Sequence, residues 1–328
     1  MKQTSEIYIN AYSFAFGFGL LGSRREISCV DFLLRLEQIA DLHGLAGIEI
    51  PVDLRIGDRL VFDYLTDYSW GTRGNKFFYC LEDFSRDTLQ KIAAKVADSG
   101  NPVVRIKMPQ FRPVSYGGNR ASVIDFKVVR EKFISEIQAS LPICMNYGLT
   151  LAIENHQDLT AQELIEICES FKGGCVGITW DVGNSFATSD TPENFYSVTK
   201  DYIRHIHLKD YKLSLTERGL GLTRCILGEG AVDFEFVFRR TKGISKSIEL
   251  GAHLTRICRI FDESYFENMG ISMTQRAEFI KLIRGMALDS QLLSDYENGM
   301  RDAQLDELEF EQADKSSGFI CELNGRVF

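Results

Sequence analysis

The sequence predicts an α/β protein, a (β/α)8 TIM barrel with a C-terminal extension. Three observations lead there. The chain has 328 residues, a length common among α/β barrels that form one domain. Strand-like and helix-like segments alternate along it, the pattern of a parallel sheet covered by helices. The strand-like segments make up one full ring of eight, and helical periodicity or a long loop separates each from the next.

In order, strands are expected at IYINAYSF (7–14), LAGIEIP (45–51), FFYCL (77–81), PVVRIKM (102–108), LTLAIEN (149–155), CVGITWD (175–181), YIRHIHLK (202–209) and SKSIEL (245–250). The clearest helices are VDFLLRLEQIADLHG (30–44), SRDTLQKIAAKVADSG (85–100), FKVVREKFISEIQASLPICMNYG (126–148) and TAQELIEICES (160–170). Gly44 and Gly148 close two of them, as glycine does where the backbone turns left-handed after a helix. Residues 52–76 read as an irregular insertion bearing glycine and aromatic residues, which leaves the third strand the least marked. After the eighth strand, 251–272 reads as a long loop, with a short helix over the barrel mouth within HLTRICRIFDESYF, and 273–296 suits the eighth helix. The barrel is expected over 1–298. The remaining 299–328, acidic and then apolar, reads as a tail: an arm on a second subunit or a frayed end.

Composition narrows the partners. The net charge of −9 repels nucleic-acid backbones and anionic membranes, so neither is expected. MKQTSEIYIN lacks the apolar core of a signal peptide, and no run approaches the ~18 apolar residues of a membrane span. The eight cysteines form no CxxC pair. In a chain of this size they read as reduced thiols of a cytoplasmic protein.

Strand alternation then separates two faces. Ile48, Ile50, Val104, Ile106, Leu151, Ile153, Ile178, Trp180, Ile206, Leu208, Ile248 and Leu250 fall on the face toward the helices. The interior receives Gly47 and Glu49; Arg105 and Lys107; Thr150, Ala152 and Glu154; Gly177, Thr179 and Asp181; His205 and His207; and Ser245, Ser247 and Glu249. Charge gathers toward the C-terminal ends of the strands, the end where barrel enzymes carry their active sites.

Glu154, Asp181, His207 and Glu249 end the fifth to eighth strands, one ligand-type side chain each. Any one alone reads more simply as a helix cap or an ion-pair partner. Four on consecutive strands crowd like charges and call for a cation. Three carboxylates and an imidazole favour one divalent metal, with Mn2+ first and Mg2+ or Co2+ as the other choices, over a thiolate-loving ion.

The motifs ENH (154–156), WDVGNS (180–185), HIHLKD (205–210), LGEG (227–230) and IELG (248–251), in this order, resemble the xylose-isomerase-like superfamily in its sugar-phosphate isomerase/epimerase branch. The resemblance runs from about residue 7 to about residue 298. It implies that Glu154, Asp181, His207 and Glu249 are metal ligands, and that the two glutamates form the acid/base pair of ketose 3-epimerases. Those epimerases place a histidine three residues past the metal-binding aspartate, where this chain has Asn184. The family also includes dehydratases and catalytic subunits of C-glycoside-cleaving enzymes. A sugar or glycoside is thus the expected ligand, and a second copy or a small partner subunit the expected protein contact.

The residues themselves support proton transfer beside a carbonyl. A metal with open positions holds adjacent oxygens and acidifies the neighbouring C–H. Glu154 and Glu249 lie three strands apart and can flank a substrate, one removing a proton and the other returning it. His156, just past Glu154, reaches the substrate as a base without being a ligand, or is a surface loop histidine. Lys209 polarises a substrate oxygen or pairs with a carboxylate. Arg105 and Lys107 bind sugar or pair with Glu49; Asn184 lies within reach of substrate. His205 belongs to the deeper interior. Gly228-Glu229-Gly230 is a tight turn, since the Lys-Ser/Thr of a phosphate loop is missing.

Isomerisation or epimerisation of a keto sugar or polyol is the leading expectation. Lyase chemistry at the same site, on a 3-keto glycoside or as a dehydratase, is the alternative, and the aromatic insertion at 62–79 suits a bulky substrate. A nuclease for damaged DNA is disfavoured by five histidines and net −9. A non-catalytic sugar-binding barrel would not need four aligned ligands.

Overall fold

The computed structural model describes residues 5–15, 17, 29–56, 59–67, 76–109, 123–171, 173–251, 253–267, 269–288, 292–295 and 297–327. Its centre is a closed barrel of β1 (Ile7–Asn10), β2 (Gly47–Pro51), β3 (Lys76–Leu81), β4 (Val103–Ile106), β5 (Thr150–Glu154), β6 (Val176–Asp181), β7 (Ile203–Leu208) and β8 (Lys246–Ile248). The strands follow one another around the ring in chain order, and every neighbouring pair is parallel. Helices α1 (Cys29–His43), α2 (Val61–Asp67), α3 (Arg86–Asp98), α4 (Val123–Tyr147), α5 (Ala161–Ser170), α6 (Pro192–Thr199) and α7 (Phe234–Arg240) follow β1 to β7 in turn.

Local chemistry sets the boundaries. Gly44 and Gly148 take φ of 62° and 67° after α1 and α4, a region where a Cβ is strained. Thr160 and Glu163 form a capping box on α5, while Ser85, Thr191 and Asp233 cap α3, α6 and α7. The twelve strand residues assigned to the helix-facing side are all buried in the core. Gly47 leaves no space for a side chain, since a Cβ there would lie 1.8 Å from the Lys76 carbonyl oxygen.

Four expectations need correction. The first strand stops at Asn10, whose side chain accepts from the Tyr12 N–H at 2.8 Å and turns 11–14 into a 3-10 helix. Within the 52–76 insertion, Arg55–Ile56 and Arg59–Leu60 pair antiparallel ahead of α2, while 57–58 and 68–75 lie outside the described residues. The chain after β7 first forms strands Tyr211–Thr216 and Gly219–Arg224, joined antiparallel by Arg256–Cys258 into an accessory sheet. The short helix over 253–266 is therefore only α8 (Glu263–Glu267), and the strand precedes it.

The eighth barrel helix is the fourth. The 273–296 segment yields α9 (Met273–Met286), which touches the accessory strand Tyr211–Thr216. The supposed tail instead forms α10 (Asp302–Val327), packed against α1, α7 and β8. Arg35 of α1 meets Asp306 at 2.7 Å, and Phe234 of α7 meets Phe319 edge-on at 6.0 Å. No described helix is long and apolar enough to cross a membrane.

Candidate active site

Four strand ends converge at the C-terminal mouth. Glu154 and Asp181 close β5 and β6, His207 precedes the end of β7, and Glu249 follows β8. Asp181 lies in register with His207, and the Glu249 N–H donates to the Leu208 carbonyl at 3.1 Å, extending the ladder. All four are buried, and one ligand-type atom from each lies within 4.8 Å of the others.

Each side chain is aimed by specific neighbours. Arg105 Nη2 stands 2.5 Å from Glu154 Oε2, while its Nη1 pairs with Glu82. Asp181 Oδ2 receives Lys209 Nζ at 2.6 Å and Asn184 Nδ2 at 2.7 Å. Lys209 also reaches Glu249 Oε1 at 2.6 Å, and Asn10 Nδ2 donates to Glu249 Oε2 at 3.3 Å. His207 Nε2 lies 2.9 Å from Glu49 Oε1, and its Nδ1 faces Glu249 Oε2 at 2.8 Å and Glu154 Oε1 at 3.7 Å. Asn155 clasps the two strand ends together: its Oδ1 accepts from the Asp181 N–H at 2.6 Å and its Nδ2 donates to the Asp181 carbonyl at 2.9 Å.

Burial and paired charge compete here. Burial raises the Glu249 carboxyl, but Lys209 and His207 outweigh it and hold it well below the usual carboxylate range. Burial likewise opposes ionisation of Glu154, and Arg105 with His156 and His207 overcomes it. Asp181 is pushed up to about 6 by burial, Lys209 notwithstanding. His207 would be lowered by burial, yet Glu49 and Glu249 hold its imidazole well above its ordinary value. Among the buried side-chain atoms with no hydrogen-bond partner, Glu49 Oε2, Arg105 Nε, Glu154 Oε1, Glu154 Oε2 and His207 Nδ1 lie in this cluster. A cation can take the place of the proton on His207 Nδ1, and three carboxylates with one imidazole are a donor set that fits a hard or borderline dication. Cys80, beside Arg105 in register, keeps its proton because burial raises its thiol well above the ordinary value.

The other expected site residues divide. Glu49 pairs with neither Arg105 nor Lys107, as it reaches His207 and His205 instead; Lys107 pairs with Glu82 and lies 5.9 Å from the centre of the Tyr12 ring. Asn184 is buried and engaged at both ends, giving Nδ2 to Asp181 and accepting at Oδ1 from Gln157 (2.7 Å) and Tyr211 (3.2 Å). Gln157 adopts φ 68°, which turns the loop after β5 back toward Asn184. His156 is half-buried in that loop. Burial, with Lys107, Arg256 and Lys209, pushes it down to about 3 against the pull of Glu154, so the ring is neutral. His205 is held in the closed interior between Ser245 (2.8 Å) and Ser247 (2.9 Å), stacked on Phe78 at 3.8 Å. Asp210 accepts backbone N–H groups from Tyr211, Gly228, Gly230 and Val232, which fixes the 227–232 turn.

Asn10, Glu82, Asn155 and Gln157 were not anticipated as site residues. Asn10 and Asn155 had the same signal as the four converging residues, a polar side chain where an apolar strand ends.

Comparisons place the fold among known proteins. An uncharacterised protein of Escherichia coli K12, YihM, is 24% identical over 239 residues, covering 71% of this chain and 67% of that protein. The 3-oxo-isoapionate decarboxylase of Pectobacterium atrosepticum is 21% identical over 124 residues, covering 37% of this chain and 45% of the decarboxylase. A solved L-ribulose 3-epimerase shares the fold with a TM-score of 0.52 at 14% identity, covering 98% of this chain and 95% of the other. The model of one family, described as a xylose isomerase-like TIM barrel, matches residues 81–248, from the end of β3 to the end of β8, and the chain belongs to that family.

Proposed function

We propose that this protein is a divalent-metal-dependent isomerase or epimerase that acts on a keto sugar or polyol through an enediolate. One observation carries the reading: Glu154, Asp181, His207 and Glu249 each bring a ligand-type atom within 4.8 Å of the others, and Glu154 Oε1 and His207 Nδ1 are buried without a hydrogen-bond partner. Glu154, Asp181, His207 and Glu249 would hold the ion, Mn2+ first and Mg2+ or Co2+ next, and when bound it would polarise a carbonyl and its neighbouring hydroxyl.

The chain's own groups supply the rest. Glu154 and Glu249 approach from β5 and from beyond β8, so one takes a proton from carbon and the other returns it. Arg105 fixes Glu154. Lys209 stands between Asp181 and Glu249 and presents an ammonium to any oxyanion formed beside them. Lys107, partly exposed at the rim, meets a substrate hydroxyl. Asn184 steadies Asp181 from within. A sugar or glycoside ligand and a cytoplasmic setting belong to the same proposal.

A second reading, a lyase at this site, rests on the position of His156, a half-buried imidazole two residues past Glu154 and outside the converging cluster. Asn184 in place of the epimerase histidine agrees with it. The partial match to a decarboxylase is compatible, since loss of CO2 beside a ketone also leaves an electron pair on the α-carbon.

The test follows free ketoses and 3-keto glycosides by NMR in D2O, with chelator-treated protein before and after adding Mn2+. Metal-restored deuterium incorporation into a free ketose, without fragmentation, supports the isomerase. Aglycone release with no exchange on any free sugar supports the lyase. Equal turnover by metal-free and metal-loaded protein defeats both.

A further inference from the structure

Glu49 is a fully buried carboxylate on β2, which is separated from β7 by β1 and β8 in the ring. It reaches across the interior rather than to its neighbours. Oε1 lies 2.9 Å from His207 Nε2, and Oε2 lies 3.4 Å from His205 Nε2. A buried carboxylate is costly unless paired, and apolar residues of similar volume usually replace such pairs without loss. Its partner here is the one imidazole of the proposed metal site. Glu49, His205 and His207 do not themselves form a second metal site. Both His205 nitrogens are occupied by Ser245 and Ser247, and Phe78 covers the ring.

We propose that Glu49 is a positioning residue of the metal centre: by accepting the His207 Nε2–H it fixes the tautomer whose Nδ1 lone pair faces Glu154, Asp181 and Glu249. A carboxylate behind a ligating imidazole also strengthens the nitrogen as a donor, and losing one lowers metal affinity roughly 10- to 100-fold. His205, braced by two serine hydroxyls and an aromatic face, lies against the other carboxylate oxygen at 3.4 Å. The inference rests on the metal reading above.

The experiment titrates the full-length protein with Mn2+ by calorimetry, comparing wild type, Glu49→Gln and Glu49→Leu, with thermal melts alongside. The expected order of affinity is wild type, then Gln, then Leu, with the Gln variant weakened roughly 10-fold or more. A purely structural role would lower the melting temperature and leave the affinity of the folded fraction unchanged. A second measurement needs no variant: 15N NMR of wild type loaded with Zn2+ should show His207 protonated at Nε2 and bare at Nδ1. Wild type that binds Mn2+ while Glu49→Gln binds it equally well, or a His207 bound through Nε2, overturns the inference and leaves the metal reading standing. Wild type that binds no dication overturns the metal reading, and the inference falls with it.

Discussion

His156 separates the two chemistries at a single position. It lies two residues past Glu154, in the loop turned by Gln157, and is not among the four converging side chains. On the lyase reading His156→Ala should leave metal content at the wild-type level and slow turnover roughly 10²-fold or more, the usual loss on removing a general base, whereas on the isomerase reading the glutamates carry the protons and turnover changes little. Elemental analysis and initial rates on the same preparation check it, and unchanged turnover would make His156 a loop residue. The convergence of Glu154, Asp181, His207 and Glu249 was legible because a period of two assigns each strand residue to a face, and strand ends in a barrel share one mouth. The partner of Glu49 was not. Periodicity gives the inward direction, but which groups meet across the interior depends on register between strands three places apart, and local sequence does not encode it. Asn155 was hidden differently: its neighbours Glu154 and His156 suggested chemistry, whereas its own amide pins β5 to β6.

At the scale of an element, the turn after the accessory sheet turns on Asp210. Its Oδ1 accepts from Tyr211 (2.9 Å) and Val232 (3.1 Å), and its Oδ2 from Gly228 (3.0 Å) and Gly230 (2.9 Å). Glycine at 230 is required by the close approach, for a Cβ there would lie 2.2 Å from Asp210 Oδ1. Asp210→Asn keeps one acceptor oxygen and turns an amide NH2 toward two N–H donors. Two charge-assisted bonds are lost and two buried donors are left opposed, so destabilisation of about 2–4 kcal/mol is expected. Urea unfolding measures it, and a change under about 0.5 kcal/mol, the level of an ordinary surface substitution, would show that the clasp is not needed. This explains LGEG as a backbone clasp. The accessory hairpin was also written in the sequence, as Leu213 and Leu215 alternating toward a turn at Glu217-Arg218 that Gly219, φ 129°, closes. A count that already reached eight strands concealed it.

For the whole molecule, the decisive element is α10, because a barrel is complete only when its last helix covers the seam between β8 and β1. Its buried stripe contains Leu305, Asp306, Glu309, Gln312, Ala313, Ser316, Ser317, Ile320 and Leu323. The spacing is helical, but over half of these residues are polar, so hydrophobic periodicity alone reads the segment as a tail. The polar members have partners in the barrel: Asp306 meets Arg35, Ser316 Oγ accepts from the Leu227 N–H at 3.2 Å, and Glu309 Oε2 accepts from the Gly17 N–H at 2.9 Å. Arg224, buried and holding the Ser13 and Gly251 carbonyls, also lies 3.5 Å from Glu309 Oε1. Ending the chain at residue 301 removes three large buried apolar side chains, worth about 1.5–3 kcal/mol each, and exposes the faces of α1 and α7 that they cover. That loss alone is comparable to the about 5–15 kcal/mol by which a typical domain is stable. The truncated protein should be insoluble, or lack a cooperative melt by circular dichroism. A dispensable tail predicts the opposite, and a truncated chain that melts cooperatively within a few degrees of the full-length protein would show that the barrel closes without α10.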